Sequence, residues 1–239
     1  ISAFLLSLSF MRKINEGKPL NLFSYWMHVF QRLLPVATVV IAGTTIASFF
    51  VLAPSRWSQT VTDARSSLFY FQNWNLAFSS VDYYAQNASV KSPFQHFWSL
   101  SIQGQIFIIW PLLFAAVAYV VHRFRGNLFT TAVFIFNTVF VASLTFSIVE
   151  TDTNQGFAYF DPRTRLWEFA IGTLLAMLTL KWKAPEKARV VMGWVGIIGL
   201  VTCGAILPVE RAFPGYLALW PVISGALVIM AGRTNSRWG

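Results

Sequence analysis

The chain has 239 residues, of which 56% are hydrophobic and only 11% charged, with a mean hydropathy of +0.56. A water-soluble domain carries about 25% charged residues, so the composition excludes a soluble enzyme and implies a polytopic membrane protein. The net charge of +9 speaks for membrane orientation rather than nucleic-acid binding, because basic residues gather on the cytoplasmic side of membrane spans.

The opening run, Ile1 to Met11, is shorter than the roughly 20 apolar residues a crossing helix needs and reads as the end of a span. A polar stretch from Arg12 to Gln31 follows, with an aromatic patch, Phe23, Tyr25 and Trp26, suited to the headgroup layer. The second span is expected over Leu33 to Leu52, closed by Pro54. Ser55 to Gln95 reads as an amphipathic or re-entrant element, since its apolar core, Leu68 to Phe78, is broken by Asn73 and Asn75 and is too short for a pair of crossings. Further spans are expected over Phe97 to Val121, Leu128 to Val149, Thr164 to Leu180, Val190 to Leu207 and Tyr216 to Met230. Gly193, Gly196, Gly199 and Gly204 stud the sixth and favour close helix packing.

The expected fold class is therefore all-α, a polytopic transmembrane helix bundle with about seven to eight spans. With no closing element after Asn235 to Gly239, residues 1–239 are expected to be an incomplete membrane domain. Loop charges agree with alternating crossings. If the Arg12 to Arg32 loop is cytoplasmic, that side collects Arg12, Lys13, Lys18, Arg32, Arg123, Arg125, Lys181, Lys183, Lys187, Arg189, Arg233 and Arg237. The opposite side keeps Arg56, Arg65, Lys91, Arg163, Arg165 and Arg211, together with every acid except Glu16 and Glu186.

Chemistry has few places to reside. Cys203 is the single cysteine, and His28, His96 and His122 show no metal-ligand spacing. Asn87-Ala88-Ser89 matches the glycosylation triplet, a pattern common by chance. Three constellations remain. At the outer mouth of the third span, His96, Ser99 and Gln103 recur at helical spacing on one face; they either serve a reaction or tie neighbouring loops by hydrogen bonds. At the start of the fifth, Arg165 and Glu168 are three apart and can pair, either at a site or as a closure of the bundle, with Trp167 as a possible belt residue. At the cytoplasmic start of the second, Arg32 and His28 either anchor in headgroups or grip an anionic ligand, which suits a guanidinium.

These residues resemble the acyltransferase family 3 membrane O-acyltransferases, whose motif reads approximately HFWSL-S-V-E-E-Q-F-Y-x-x-W-P. The matching positions are His96 to Ser101, Gln105, Trp110 and Pro111. Further blocks agree in order: Ser2 to Leu6 with an SGFLI span, Arg32 to Pro35 with an RxxRLLP loop, Asn73-Trp74 and Asp82-Tyr83 with NW...DY, and Arg165 to Glu168 with Gly172 as RxWE...G. Gln103 and Gly104 stand where the family has two glutamates, and His28 and Val29 stand where further basic residues are usual.

The resemblance implies an acyltransferase of the bacterial plasma (inner) membrane. It would take acyl-CoA, acetyl-CoA in the first instance, as donor, with no metal and no nucleic acid. Its partners would be membrane lipids and an extracytoplasmic glycan or glycolipid acceptor. Implied site residues are His96, Ser99, Gln103, Arg165 and Glu168 for catalysis, and Arg32 and His28 for the donor. The family's histidine base would lie before Ile1. The rival readings are a transporter of envelope lipid or glycan and a relative that has lost activity.

Overall fold

A computed structural model describes residues 1–83, 92–182, 184–206 and 213–232, with the backbone alone over 80–83. The described residues are helical, with no strand: α1 (Ser2–Asn15), α2 (Leu22–Val51), α3 (Trp57–Leu68), α4 (Gln72–Tyr83), α5 (Phe97–Phe124), α6 (Leu128–Thr153), α7 (Gln155–Phe160), α8 (Leu166–Lys181), α9 (Glu186–Ile206) and α10 (Leu219–Ala231). The triplet Asn87-Ala88-Ser89 lies outside the described residues.

Four helices are long and apolar enough to cross a bilayer: α2, α5, α6 and α9, of 30, 28, 26 and 21 residues. The expectation of seven to eight spans is met only this far. Helices α1, α8 and α10 have 14, 16 and 13 residues, which at 1.5 Å per residue is about 20–24 Å against a hydrocarbon core of about 30 Å. The last expected run gives its first three residues to a 3-10 turn, Tyr216–Ala218, whereas α8 follows the turn Pro162–Thr164 and nearly matches the expected Thr164 to Leu180. Large apolar side chains face outward along the long helices, among them Val36, Val39 and Phe50 on α2 and Trp194, Ile198 and Val201 on α9. A bilayer solvates such a surface and water does not. This is a multi-pass membrane protein.

Helix starts follow local chemistry. The Asn21 side chain accepts the Ser24 N–H at 3.0 Å to cap α2, and Asn127 accepts that of Thr130 at 3.1 Å to cap α6. Because Asn21 caps so early, Phe23, Tyr25 and Trp26 form the first turns of α2 rather than a separate surface segment. After α1 the chain turns at Gly17, whose φ of +65° suits glycine. Beside it, hydrogen bonds from Lys18 and then Arg12 hold the Glu16 carboxyl below its ordinary pKa.

The chain divides into two compact units. The first comprises 1–18, 117–155 and 163–239. In it α9 packs on α10, and α8 packs on α6 and α1. The contact between α1 and α8 is made through small groups: Ser7 Oγ is hydrogen-bonded to Thr173 Oγ1 at 2.8 Å, and a Cβ on Gly172 would meet that of Ala3 at 3.5 Å. The expected role of the α9 glycines holds for three of the four. Gly193 lies against Ala231, and Gly196 and Gly199 lie against Ser224, while Gly204 has nothing within 4 Å. A Cβ at Gly196 would fall 2.7 Å from both Ser224 O and Val228 Cγ2. Gly196→Ala should therefore cost about 1–3 kcal/mol by overpacking, and Gly204→Ala should cost nothing; thermal unfolding of the solubilised pair of variants checks this.

The second unit comprises 19–116 and 156–162. In it α2 packs on α3, and α3 on α4. The stretch read as amphipathic or re-entrant is a pair of 12-residue helices, α3 and α4, each too short to cross. Their turn places Tyr70 at φ +59°, a left-handed conformation rare for a bulky side chain.

Candidate functional site

In the second unit, α3 turns a polar face inward: Thr60, Asp63, Ala64 and Ser67 are all buried. Asp63 is 1% exposed. Its Oδ1 accepts hydrogen bonds from Gln59 Nε2 at 2.9 Å and Asn75 Nδ2 at 2.8 Å, and its Oδ2 accepts one from the Ser92 hydroxyl. Asn75 Nδ2 also donates to Gln72 Oε1 at 3.2 Å. A buried carboxylate is costly unless its lone pairs are used, and these three donors use them. The spacing of Thr60, Asp63 and Ser67 puts them on one helical face, a signal of this network that lies outside the apolar runs.

The start of α5 is tied to the same region. Ser101 Oγ accepts the Gln72 N–H at 3.3 Å, and Gln105 Nε2 donates to Tyr70 O and Asn73 Oδ1, each at 2.9 Å. Asn73 Nδ2 in turn donates to Phe160 O at 3.3 Å. Two of the sequence blocks, the one holding Asn73 and the one holding Gln105, thus meet through a side-chain hydrogen bond.

On α5 the group singled out from sequence lies on another face. His96 ends the turn just before the helix and is exposed, Ser99 is exposed with its hydroxyl donating to His96 O at 3.1 Å, and Gln103 is half-buried. The structure keeps these three near one another but buries Ser101 instead, with Gln105 half-buried like Gln103. The place of the second family glutamate, Gly104, is filled from outside: a Cβ there would fall 2.9 Å from Tyr70 Cε1 and 3.1 Å from Cγ, with Cδ1 closer still.

On α2, His28 and Arg32 are one turn apart and both exposed. The His28 Nδ1–H donates to Ser24 O at 2.7 Å, which leaves Nε2 as an exposed acceptor beside the exposed Arg32 guanidinium. Among the described residues neither forms an ion pair.

In the first unit, Arg165 precedes α8 and Glu168 lies in its first turn; Arg165 Nη1 and Glu168 Oε1 are 3.0 Å apart. Arg165 is 6% exposed, and its guanidinium lies 4.9 Å from the Phe213 ring centroid. Ser143 Oγ fixes this corner by donating to Arg163 O at 2.6 Å and accepting the Trp167 N–H at 2.9 Å. Trp167 is fully buried against Phe140, so it is a core residue and not part of a headgroup belt.

No family model matches the chain, and no solved structure matches it significantly. Among characterised proteins it is similar to O-acetyltransferase OatA of Staphylococcus aureus, 26% identical over 203 residues that make up 83% of this chain and 32% of OatA. It is 31% identical over 180 residues to YrhL of Bacillus subtilis, a protein provisionally named a peptidoglycan O-acetyltransferase, covering 74% of this chain and 27% of YrhL. This chain is acyltransferase-3-like. A third acyltransferase-3-like relative, BcsY of Komagataeibacter xylinus, provisionally named a membrane-bound transacylase, is 27% identical over 209 residues, 87% of this chain and 51% of BcsY. The chain thus spans about a third of OatA, and its acyltransferase-3-like character describes a membrane segment of such proteins.

Proposed function

We propose that this chain forms part of a bacterial plasma-membrane O-acyltransferase that moves an acyl group, acetyl in the first instance, from cytosolic acyl-CoA to a hydroxyl of extracytoplasmic envelope carbohydrate or lipid. The observation that carries the reading is the similarity over 83% of the chain to a protein named an O-acetyltransferase. The bundle would have seven to eight crossings, with α1, α8 and α10 completing what the four long helices begin.

The acceptor oxygen attacks the thioester carbonyl, forming the ester C–O bond as the C–S bond breaks. The electron pair leaves on sulfur, and the hydroxyl proton passes through a general base to the departing thiolate. An alcohol is a weak nucleophile and needs that base, whereas a thiolate leaves readily. In this scheme Arg32, with His28 beside it, binds the donor's phosphates through charge-assisted hydrogen bonds. His96, Ser99 and Gln103 orient the acceptor or polarise the acyl carbonyl, His96 being the candidate base within the chain. Arg165 and Glu168 brace the outer mouth.

Membranes carrying the full-length protein should transfer labelled acetyl from acetyl-CoA into envelope material. Loss of a charge-assisted hydrogen bond is worth roughly 1.5–3 kcal/mol, so Arg32→Ala should raise KM for acetyl-CoA by about 10- to 100-fold. Gln103→Ala should lower kcat instead. Unchanged turnover in both would reject these roles, and absence of labelling with the parent protein would reject the reaction.

A further inference from the structure

We propose that Asp63 and Ser92 together position His96. The proposal rests on the reading that His96 belongs to the transfer site, and it extends that site to two residues nothing else assigns. Asp63 is a buried carboxylate with only neutral donors around it, and no Lys or Arg pairs with it among the described residues. A carboxylate can only accept, so the Ser92 O–H must point at Asp63. The lone pairs of Ser92 Oγ are thereby turned to the Phe94 N–H, which donates to it at 3.1 Å.

Ser92 O also accepts the Gln95 N–H at 3.1 Å, and Phe94 O accepts that of Phe97 at 3.0 Å. The turn that ends at His96 thus opens on a bond to the oriented Ser92 hydroxyl and continues through backbone bonds. The apolar half of the same clamp is Phe94, fully buried with Ile41 and with Ala64, the neighbour of Asp63 on α3, and packed with Leu68 and Phe97. Helix α3 thus holds the turn twice, by a charge and by a ring. His96 itself stays exposed at its end, rigid in backbone and open to a reactant. A group used for orientation loses rate steeply when its support is loosened.

Ser92→Ala removes the link and leaves Asp63 its other two donors. In the full-length protein it should lower kcat for acetyl transfer by about 10- to 100-fold while KM for acetyl-CoA stays put; Ser92→Thr, which keeps the hydroxyl, should restore the rate. In a His96→Ala background, Ser92→Ala and Asp63→Asn should cost nothing further. Equal fold-losses in both backgrounds would show a purely structural clamp and overturn the proposal while leaving the transfer reading intact. His96→Ala at the parental rate would overturn the placement of His96 and this proposal with it. A readout independent of turnover is a spin label on His96→Cys in a Cys203→Ser protein. Ser92→Ala should raise its mobility and Ser92→Thr should not, and an unchanged spectrum for Ser92→Ala overturns the proposal.

Discussion

Gly104→Ala should destabilise the protein by about 3 kcal/mol, at the upper end of what overpacking costs, and Gly104→Glu by more. The added Cβ would stand 2.9 Å from Tyr70 Cε1 with Cδ1 closer still, and the ring has little freedom to retreat. Tyr70 is 7% exposed, its ring meets Phe30 edge-on at 5.9 Å, and its carbonyl is held by Gln105 Nε2. The diagnostic is coupling. Tyr70→Gly removes the ring and relieves the φ of +59°, so the double variant Gly104→Ala, Tyr70→Gly should be more stable than the two single changes add up to. Strict additivity in thermal unfolding would mean the ring does not fill that space. A chemical consequence follows: the second glutamate of the family motif cannot be restored at position 104 without moving Tyr70, whereas Gln103→Glu, at a half-buried position, can test the first.

Glu168→Ala should cost about 1.5–3 kcal/mol, the worth of a hydrogen bond to a charged group, because it removes the carboxylate held 3.0 Å from the buried Arg165 guanidinium. Arg165 is 6% exposed and stays in place under Phe213 and the Ser143 corner. Replacing both partners by apolar residues of similar size, Arg165→Met with Glu168→Leu, should recover most of that stability. Transfer assays on the double variant then separate two roles: parental turnover would make the pair structural only, and loss of turnover in a stable protein would place it at the site.

The long crossing helices were legible because an uncharged run of about 20 apolar residues has few alternatives to a helix in lipid. The pairing of Arg165 with Glu168 was legible for another local reason, a spacing of three residues at a helix start. The short helices were legible in position, since Thr164 to Leu180 and Tyr216 to Met230 nearly match α8 and α10, but neither is long enough to count as a crossing. Ahead of them the chain forms the 3-10 turns Pro162–Thr164 and Tyr216–Ala218, near which Ser143 and Ser147 of α6 hydrogen-bond to Arg163 O and Pro214 O, contacts of which composition carries no trace. Spacing groups Ser99 with Gln103 on α5, but His96 lies in the turn before the helix, and spacing does not say that Ser101 is the one buried.

By itself, the amino-acid order settled the solvent, the helical class and the family likeness, since all three are written in local runs and spacings. The folded arrangement alone decided which polar groups are withdrawn from contact with lipid and water. Asp63 becomes a buried acceptor through Ser92, 29 residues away, and Gln105 is fixed by Asn73, 32 residues away. Burial and hydrogen bonding are properties of neighbours in space, and neighbours at that separation are chosen by packing.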